Sequence, residues 1–384
     1  MTTYLFDSVS SKAEQMMGRS FVGKREDLQV SVLQWNHHNL MKRLTTKSLP
    51  CFHRCAHTRP MNANSSVLLL CAAVLSSCSS MNSPIPPGAK ARDHGLIGAG
   101  EGPAWKDGGL YFTDGRNINR MDADGKTRVF RGPQLARSSN GLMFDREGRL
   151  IACESGARRV TRTERNGTIT VLAERYQGKR FNTPNDLAMD SKGRIYFTDP
   201  RYGPREGMEI LDASGKTLEG VFRIDAPGKI TRLELPGIER PNGILVSPKD
   251  EFLYIADNNN NTHGGSRKLF RFRLNPDGSA DPTSGKVIFD WKGGRGPDGM
   301  KMDAAGRLYV AAGVNKTNDY ETTEFKAGCY ILSPTGKLLD FIPTAPDEAC
   351  NCAFGGADGK TLFITSGNHL WSIPVTTPGW SASR

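Results

Sequence analysis

Residues 182–203 read NTPNDLAMDSKGRIYFTDPRYG. The apolar LAMD is followed by SKGR, which has turn chemistry with Gly193 suited to a left-handed backbone. Behind the turn, IYFTD offers the aromatic and β-branched residues that strands favour. In front of this hairpin stand Pro184, Asn185 and Asp186. The same polar head recurs along the chain as EGPAW (Glu101), SNGLMF (Asn140), PNDLAM (Asn185), PNGILV (Asn242), PDGMKM (Asp298) and ACNCAFGG (Asn351). The hairpins behind the heads read WKDGGLYFTD, FDREGRLIACE, MDSKGRIYFTD, SPKDEFLYIAD, MDAAGRLYVAA and GADGKTLFITS. Third and fourth strands follow in several copies, as in GVFRID with GKITRLE and KLFRFRL with GKVIFDW. Head-to-head spacings are 39, 45, 57, 56 and 53 residues. A four-stranded propeller blade takes ~40–50 residues, so the later copies carry loop insertions. The fold expected is all-β, a six-bladed β-propeller around a central channel.

In such a fold the innermost strand of each blade lines the channel, and the residues just before it ring one mouth. The repeat therefore places Glu101, Asn140, Asn185, Asn242, Asp298 and Asn351 in one ring. All six carry side-chain oxygen. Hard divalent cations such as calcium take 6–8 oxygen ligands, including carboxylates and amide carbonyls. Asn or Asp before a strand is a common turn former. The same residue types at the same point of successive repeats point instead to a metal site at one mouth of the channel. Asp145, Asp190 and Asp303 also recur, at the far end of the inner strand, where the reading is a hairpin turn.

The motifs EGPAW, KRFNTPNDLAMDSKGRIYFTDPRYG, RPNGI, GPDGM and NCAFGG, in this order and at blade spacing, resemble the SMP-30/gluconolactonase/luciferin-regenerating family of six-bladed propellers, and most closely its bacterial gluconolactonases. The resemblance covers Glu101 to about Val375. It implies a single metal held by Glu101, Asn185, Asn242 and Asp298. Asn140 and Asn351 hold the equivalent places in blades 2 and 6, which the family does not normally use as ligands. Calcium is the first expectation, with magnesium, manganese and zinc also accommodated by such rings.

Taken in order, the 384-residue chain divides into an extension or mis-assigned start (1–60), a lipoprotein-type signal peptide (61–78), a linker (79–95), the propeller (96–377) and a tail (378–384). The apolar run at 67–75 has signal-peptide length and is too short to span a bilayer. Small residues before Cys78 resemble a bacterial lipoprotein signal, so the expectation is an exported protein, periplasmic or anchored to the membrane only through a lipid at Cys78. Of the net charge of +11, residues 1–60 hold nine Lys/Arg against four Asp/Glu, which puts +5 outside the propeller. The rest is spread over hairpin turns (Lys126, Arg149, Lys192, Arg194, Arg307), a solvated face rather than a nucleic-acid stripe. Cys153, Cys329, Cys350 and Cys352 fall in the propeller. Cys329 either bridges to Cys350 or Cys352 in an oxidising compartment or is a buried thiol.

Other chemistries fail on spacing. GKT at Gly125, Gly215 and Gly359 lacks the second glycine of a phosphate loop. MDADGK opens like a calcium-binding EF-hand loop but has no Glu at its twelfth position. There is no GxSxG, and the propeller holds only His94, His263 and His369, so a Ser-His-Asp hydrolase is not expected.

A cation held by two carboxylates and two amides keeps positive charge and open positions. It can polarise an ester carbonyl while a neighbouring carboxylate activates water or attacks directly. Asp298 is the candidate for that catalytic role. The activity implied by the resemblance is hydrolysis of a sugar lactone, such as glucono-1,5-lactone, to the aldonic acid. Candidate partners for the substrate hydroxyls are Asn140, Asn182, Asp199 and Tyr202. Family members that use an Arg two residues before the PND-type Asn have Thr183 here instead. The alternatives are another lactonase or organophosphate hydrolase on the same metal, and a non-catalytic binding propeller with structural calcium.

Overall fold

The computed structural model describes residues 83–133, 138–202, 207–345 and 347–381. The apolar run at 67–75 and Cys78 lie outside them. No helix among the described residues is long and apolar enough to cross a membrane.

Six four-stranded antiparallel sheets form the body. Their innermost strands are Glu101–Lys106, Ser139–Phe144, Leu187–Met189, Pro241–Val246, Pro297–Met302 and Ala349–Gly355. Each touches the next and the last touches the first, so the ring is closed. The organising stretch folds as its residues dictate, with Leu187–Met189 paired to Ile195–Asp199 across a turn in which Gly193 takes φ +81°. There is no single core. Six apolar clusters each fill the wedge between two neighbouring blades, as Phe181, Phe197 and Phe222 do between blades 2 and 3. This is how sheets of alternating pattern bury both faces without a helix layer.

The ring is fastened by the N-terminal side of the propeller. Strand Arg92–Leu96 pairs with His369–Pro374 and becomes the outer strand of the last blade. Across this seam His369 Nδ1 meets Asp93 Oδ2 at 2.9 Å, and His94 Nε2 meets Ser372 Oγ at 2.8 Å. Residues 83–95, expected as a tether, are therefore partly built into the body. Thr376 N donates to Pro84 O at 3.0 Å, and Ile85, Ala89 and Ala91 pack on the last blade. The tail is likewise docked as far as it is described: Trp380 N donates to Met302 O at 2.8 Å.

Asp145, Asp190 and Asp303 sit in hairpin turns, as expected. Each accepts from the backbone and Nε of the arginine four residues on, Arg149, Arg194 and Arg307. These arginines are clasped rather than solvated; Arg307 is buried. Cys153, Cys329, Cys350 and Cys352 are free thiols, the first two and Cys352 buried, so no disulfide joins them.

Candidate active site

The heads are aimed by a backbone irregularity. In five of the six inner strands the register shifts at the head: Glu101/Ala104, Ser139/Leu142, Pro241/Ile244, Pro297/Met300 and, just ahead of Asn351, Ala349/Asn351. A bulge of this kind inserts an extra residue and re-aims a side chain. Blade 3 does the same at Asn185 and Asp186, whose N–H groups are bonded by the backbone and side-chain oxygens of Thr198. The residue after the head is glycine in four of the six copies. A Cβ at Gly299 would stand 2.0 Å from Asn351 Cγ.

The ring side chains divide into two kinds. Asn242 is 4% exposed and donates from Nδ2 to the Tyr202 hydroxyl at 3.1 Å, leaving its buried Oδ1 without a partner. Asp298, also 4% exposed, has an unbonded buried Oδ1, and its Oδ2 lies 3.9 Å from Arg295 Nη2. Asn185 is buried at its head, and Asn140 has a buried, unbonded Oδ1. Asn351 differs: its Oδ1 accepts from Cys352 N at 2.9 Å and its Nδ2 donates to Glu101 Oε2 at 3.3 Å. Both ends are hydrogen-bonded, so Asn351 holds Glu101 and, unlike Asn140 and Asn242, has no unpartnered oxygen.

Charge is concentrated here. Burial, and after it the negative charge of Asp186, push the Glu101 carboxyl up to about 7. Burial and then Glu101 push Asp298 up, against the pull of Arg295. Asp186 is 1% exposed and is also pushed up by burial, with Lys301 opposing. Buried polar atoms are ordinarily hydrogen-bonded. Here Oδ1 of Asn140, Asn242 and Asp298 and Oδ2 of Asp186 are not. All four are acceptors, beside carboxylates that disfavour one another's ionisation. A hard dication satisfies both conditions, so the residues fit one. Among the described residues no three His, Cys, Asp or Glu side chains gather to ligate an ion; the donor set is half amide, which suits calcium better than zinc.

Three of the expected substrate partners, Asn182, Asp199 and Tyr202, are engaged within the protein. Asn182 and Asp199 are fully buried. Asn182 donates from Nδ2 to the carbonyls of Asp199 (3.1 Å) and Leu218 (2.9 Å), and Asp199 Oδ2 accepts from Asn182 N at 2.8 Å. They tie the entry of blade 3 to its neighbouring strands, and each keeps one buried, unbonded Oδ1. Tyr202 is at the mouth, but as a brace: its hydroxyl donates to Asn258 O at 2.9 Å and accepts from Asn242. Asp186 and Arg295 are charged residues of the mouth beyond the expected site residues. Asp186 occupies the place of the head glycine, so PND against PNG was the available signal. Arg295 precedes its head much as Arg240 precedes Asn242. Its guanidinium is shared by Asp298, Glu321 (3.5 Å) and Glu348 (2.8 Å), which holds the arginine firmly charged.

The sequence profile described as the SMP-30/Gluconolactonase/LRE-like region matches residues 99–368. The chain belongs to this family. It is 29% identical to a gluconolactonase of Zymomonas mobilis over 303 residues, which is 73% of this chain and 79% of that one. A 6-deoxy-6-sulfogluconolactonase of Pseudomonas putida is 29% identical over 277 residues, 70% of this chain and 82% of the relative. Among solved structures, a gluconolactonase from Xanthomonas campestris superposes with a TM-score of 0.62 at 29% identity, covering 76% of this chain and 91% of that one. The family's six-bladed fold thus accords with the sheets described above, and the matched span takes in all six heads.

A cavity of about 400 Å³ occupies the other end of the channel, lined by Leu142, Leu187, Ile244, Ala353 and Trp380. None of the ring acceptors lines it, so it is not the candidate site.

Proposed function

We propose that this chain is a lactonase that opens a sugar lactone such as glucono-1,5-lactone to its aldonic acid, using one divalent cation, calcium first, held by Glu101, Asn185, Asn242 and Asp298. The observation that carries this reading is the set of buried, unbonded acceptor oxygens at the mouth of a propeller whose relatives bear the names of lactonases. Bound there, the cation supplies positive charge beside the ester carbonyl.

The chain's own residues supply the rest. Asp298, through the carboxylate oxygen it does not give to the cation, accepts a proton from the attacking water, or attacks the carbonyl carbon itself. In the first route the hydroxide adds to the carbonyl carbon, the ring C–O bond breaks, Asp298 passes its proton to the departing ring oxygen, and the new carboxylic acid releases its own proton to water. In the second a mixed anhydride forms as the ring oxygen departs with a proton from water, and a water molecule then hydrolyses the anhydride to the free acid and Asp298. Arg295 favours the ionised form of Asp298. Asn351 fixes Glu101, and Tyr202 turns the Asn242 oxygen inward. Asn140 is left free to meet a substrate hydroxyl.

Asp298→Asn tests the assignment. Loss of a general base costs about 10²–10⁴-fold in turnover, while the melting temperature of the metal-free protein should hold or rise, because a buried carboxylate repelled by Glu101 is removed. Full activity in this variant would remove Asp298 from the mechanism. Loss of both fold and activity would mark it as structural.

A further inference from the structure

Three residues behind the heads stand Ala104, Met143, Ala188, Leu245, Lys301 and Phe354, one from each blade, and all six line the cavity of about 400 Å³ at the far end of the channel. Five are apolar and one is a lysine. Lys301 faces the channel because its neighbours do not. Met300 and Met302 are buried in the apolar wedge between blades 4 and 5, and side chains alternate along a strand.

A charge in apolar surroundings is costly unless it is paired. Among the described residues no carboxylate closes an ion pair with Lys301; its Nζ donates to Met300 O, a carbonyl of its own strand, at 3.1 Å. The other charged groups of the wall are already engaged. Lys106 meets Asp107 at 3.6 Å, and Asp145 meets Arg149 at 2.7 Å. Asp186 feels the charge of Lys301, but burial works first and against its ionised form. Its Oδ2 has no hydrogen-bond partner, so the ammonium is not tied there either.

The rest of the wall suits an apolar body. Trp105 and Trp380 add two indole rings. The segment that brings Trp380 is fixed in place: its N–H donates to Met302 O at 2.8 Å, and Pro378 O accepts from Ala304 N at 2.9 Å. The volume falls at the small end of ligand pockets, which run from ~300 to ~1,000 Å³ and combine apolar walls with a few placed polar groups.

We propose that the far cavity binds a small amphipathic monoanion, with a carboxylate on Lys301 Nζ and an apolar body against Trp105 and Trp380. This site is separate from the oxygen ring and does not rest on the lactonase reading. Its test is titration calorimetry of the full-length protein with octanoate, 1-octanol and acetate, in calcium and again in EDTA. One equivalent of octanoate should bind, about tenfold or more tighter than 1-octanol, because the alcohol forms no charge-assisted bond with the ammonium. Acetate should bind about a hundredfold or more weaker than octanoate, since each buried methylene strengthens binding severalfold. Calcium and EDTA should give the same affinity. Lys301→Met should weaken octanoate by about tenfold or more and leave 1-octanol nearly unchanged; Met143 holds the same place in blade 2, so methionine suits the strand. Trp380→Phe should remove much of the change in tryptophan emission that octanoate causes. Octanoate that fails to bind, binds no tighter than 1-octanol or is indifferent to Lys301→Met overturns the proposal. Binding that needs calcium overturns it too, because the carboxylate would then sit at the mouth. If Lys301→Met loses 1-octanol as well, the preference of the parent protein for octanoate over 1-octanol decides alone.

Discussion

At Glu101 two forces compete: burial and the charge of Asp186 favour the proton, whereas a dication would favour its loss. The metal-free folded carboxyl titrates at about 7 against an ordinary 4.5. Over that window the folded state holds more protons than the unfolded one. This contribution to stability is therefore complete below about pH 4.5 and is lost as pH rises through about 7. A cation bound to the ionised form works in the opposite direction. Calcium should thus raise the melting temperature little near pH 5 and progressively more toward about pH 8, because ligands must be deprotonated to bind. Melts with and without calcium across this range check it; a calcium effect that does not grow with pH would take Glu101 out of the ligand set. At this scale the sequence was informative where a residue type recurs at one repeat position, as with Asn242 and Asp298. It was silent on partners. That Asn351 spends both ends of its amide depends on Glu101, 250 residues away in the chain.

Among the elements, the inner strands position the chemistry through an irregularity of register at five of the six heads. Alternating patterns and turn residues made the hairpins legible, because side-chain period and turn chemistry are local properties. The bulge was not legible, since it is defined by pairing with a second strand. Asn182 and Asp199 show the consequence. Both are polar and close in sequence to the Asn185 head, yet they face the packed entry of blade 3. Asn182→Ala should cost about 1–3 kcal/mol, the penalty for removing a buried hydrogen-bonding partner, and leave kcat of the folded protein near the parent value. Chemical denaturation with an activity assay on the folded fraction separates the two. A large kcat loss at unchanged stability would restore Asn182 to the substrate site.

For the whole molecule, closure of the ring decides what counts as the domain. Repeat counting found six blades but placed the boundary at 96, because the strand that completes the last blade, Arg92–Leu96, carries no head of its own. A protein beginning at residue 97 leaves His369–Pro374 as an unpaired edge, which invites aggregation. It should melt well below one beginning at residue 83; equal melting temperatures would show that the seam contributes nothing. The central claim is that the oxygen-lined mouth of this ring holds a dication needed to open a lactone. The most direct measurement is acid release from glucono-1,5-lactone, corrected for spontaneous opening, with EDTA and then with calcium restored in excess. The account predicts turnover that EDTA abolishes and calcium returns. Turnover indifferent to EDTA, in protein shown to be free of metal, would contradict it.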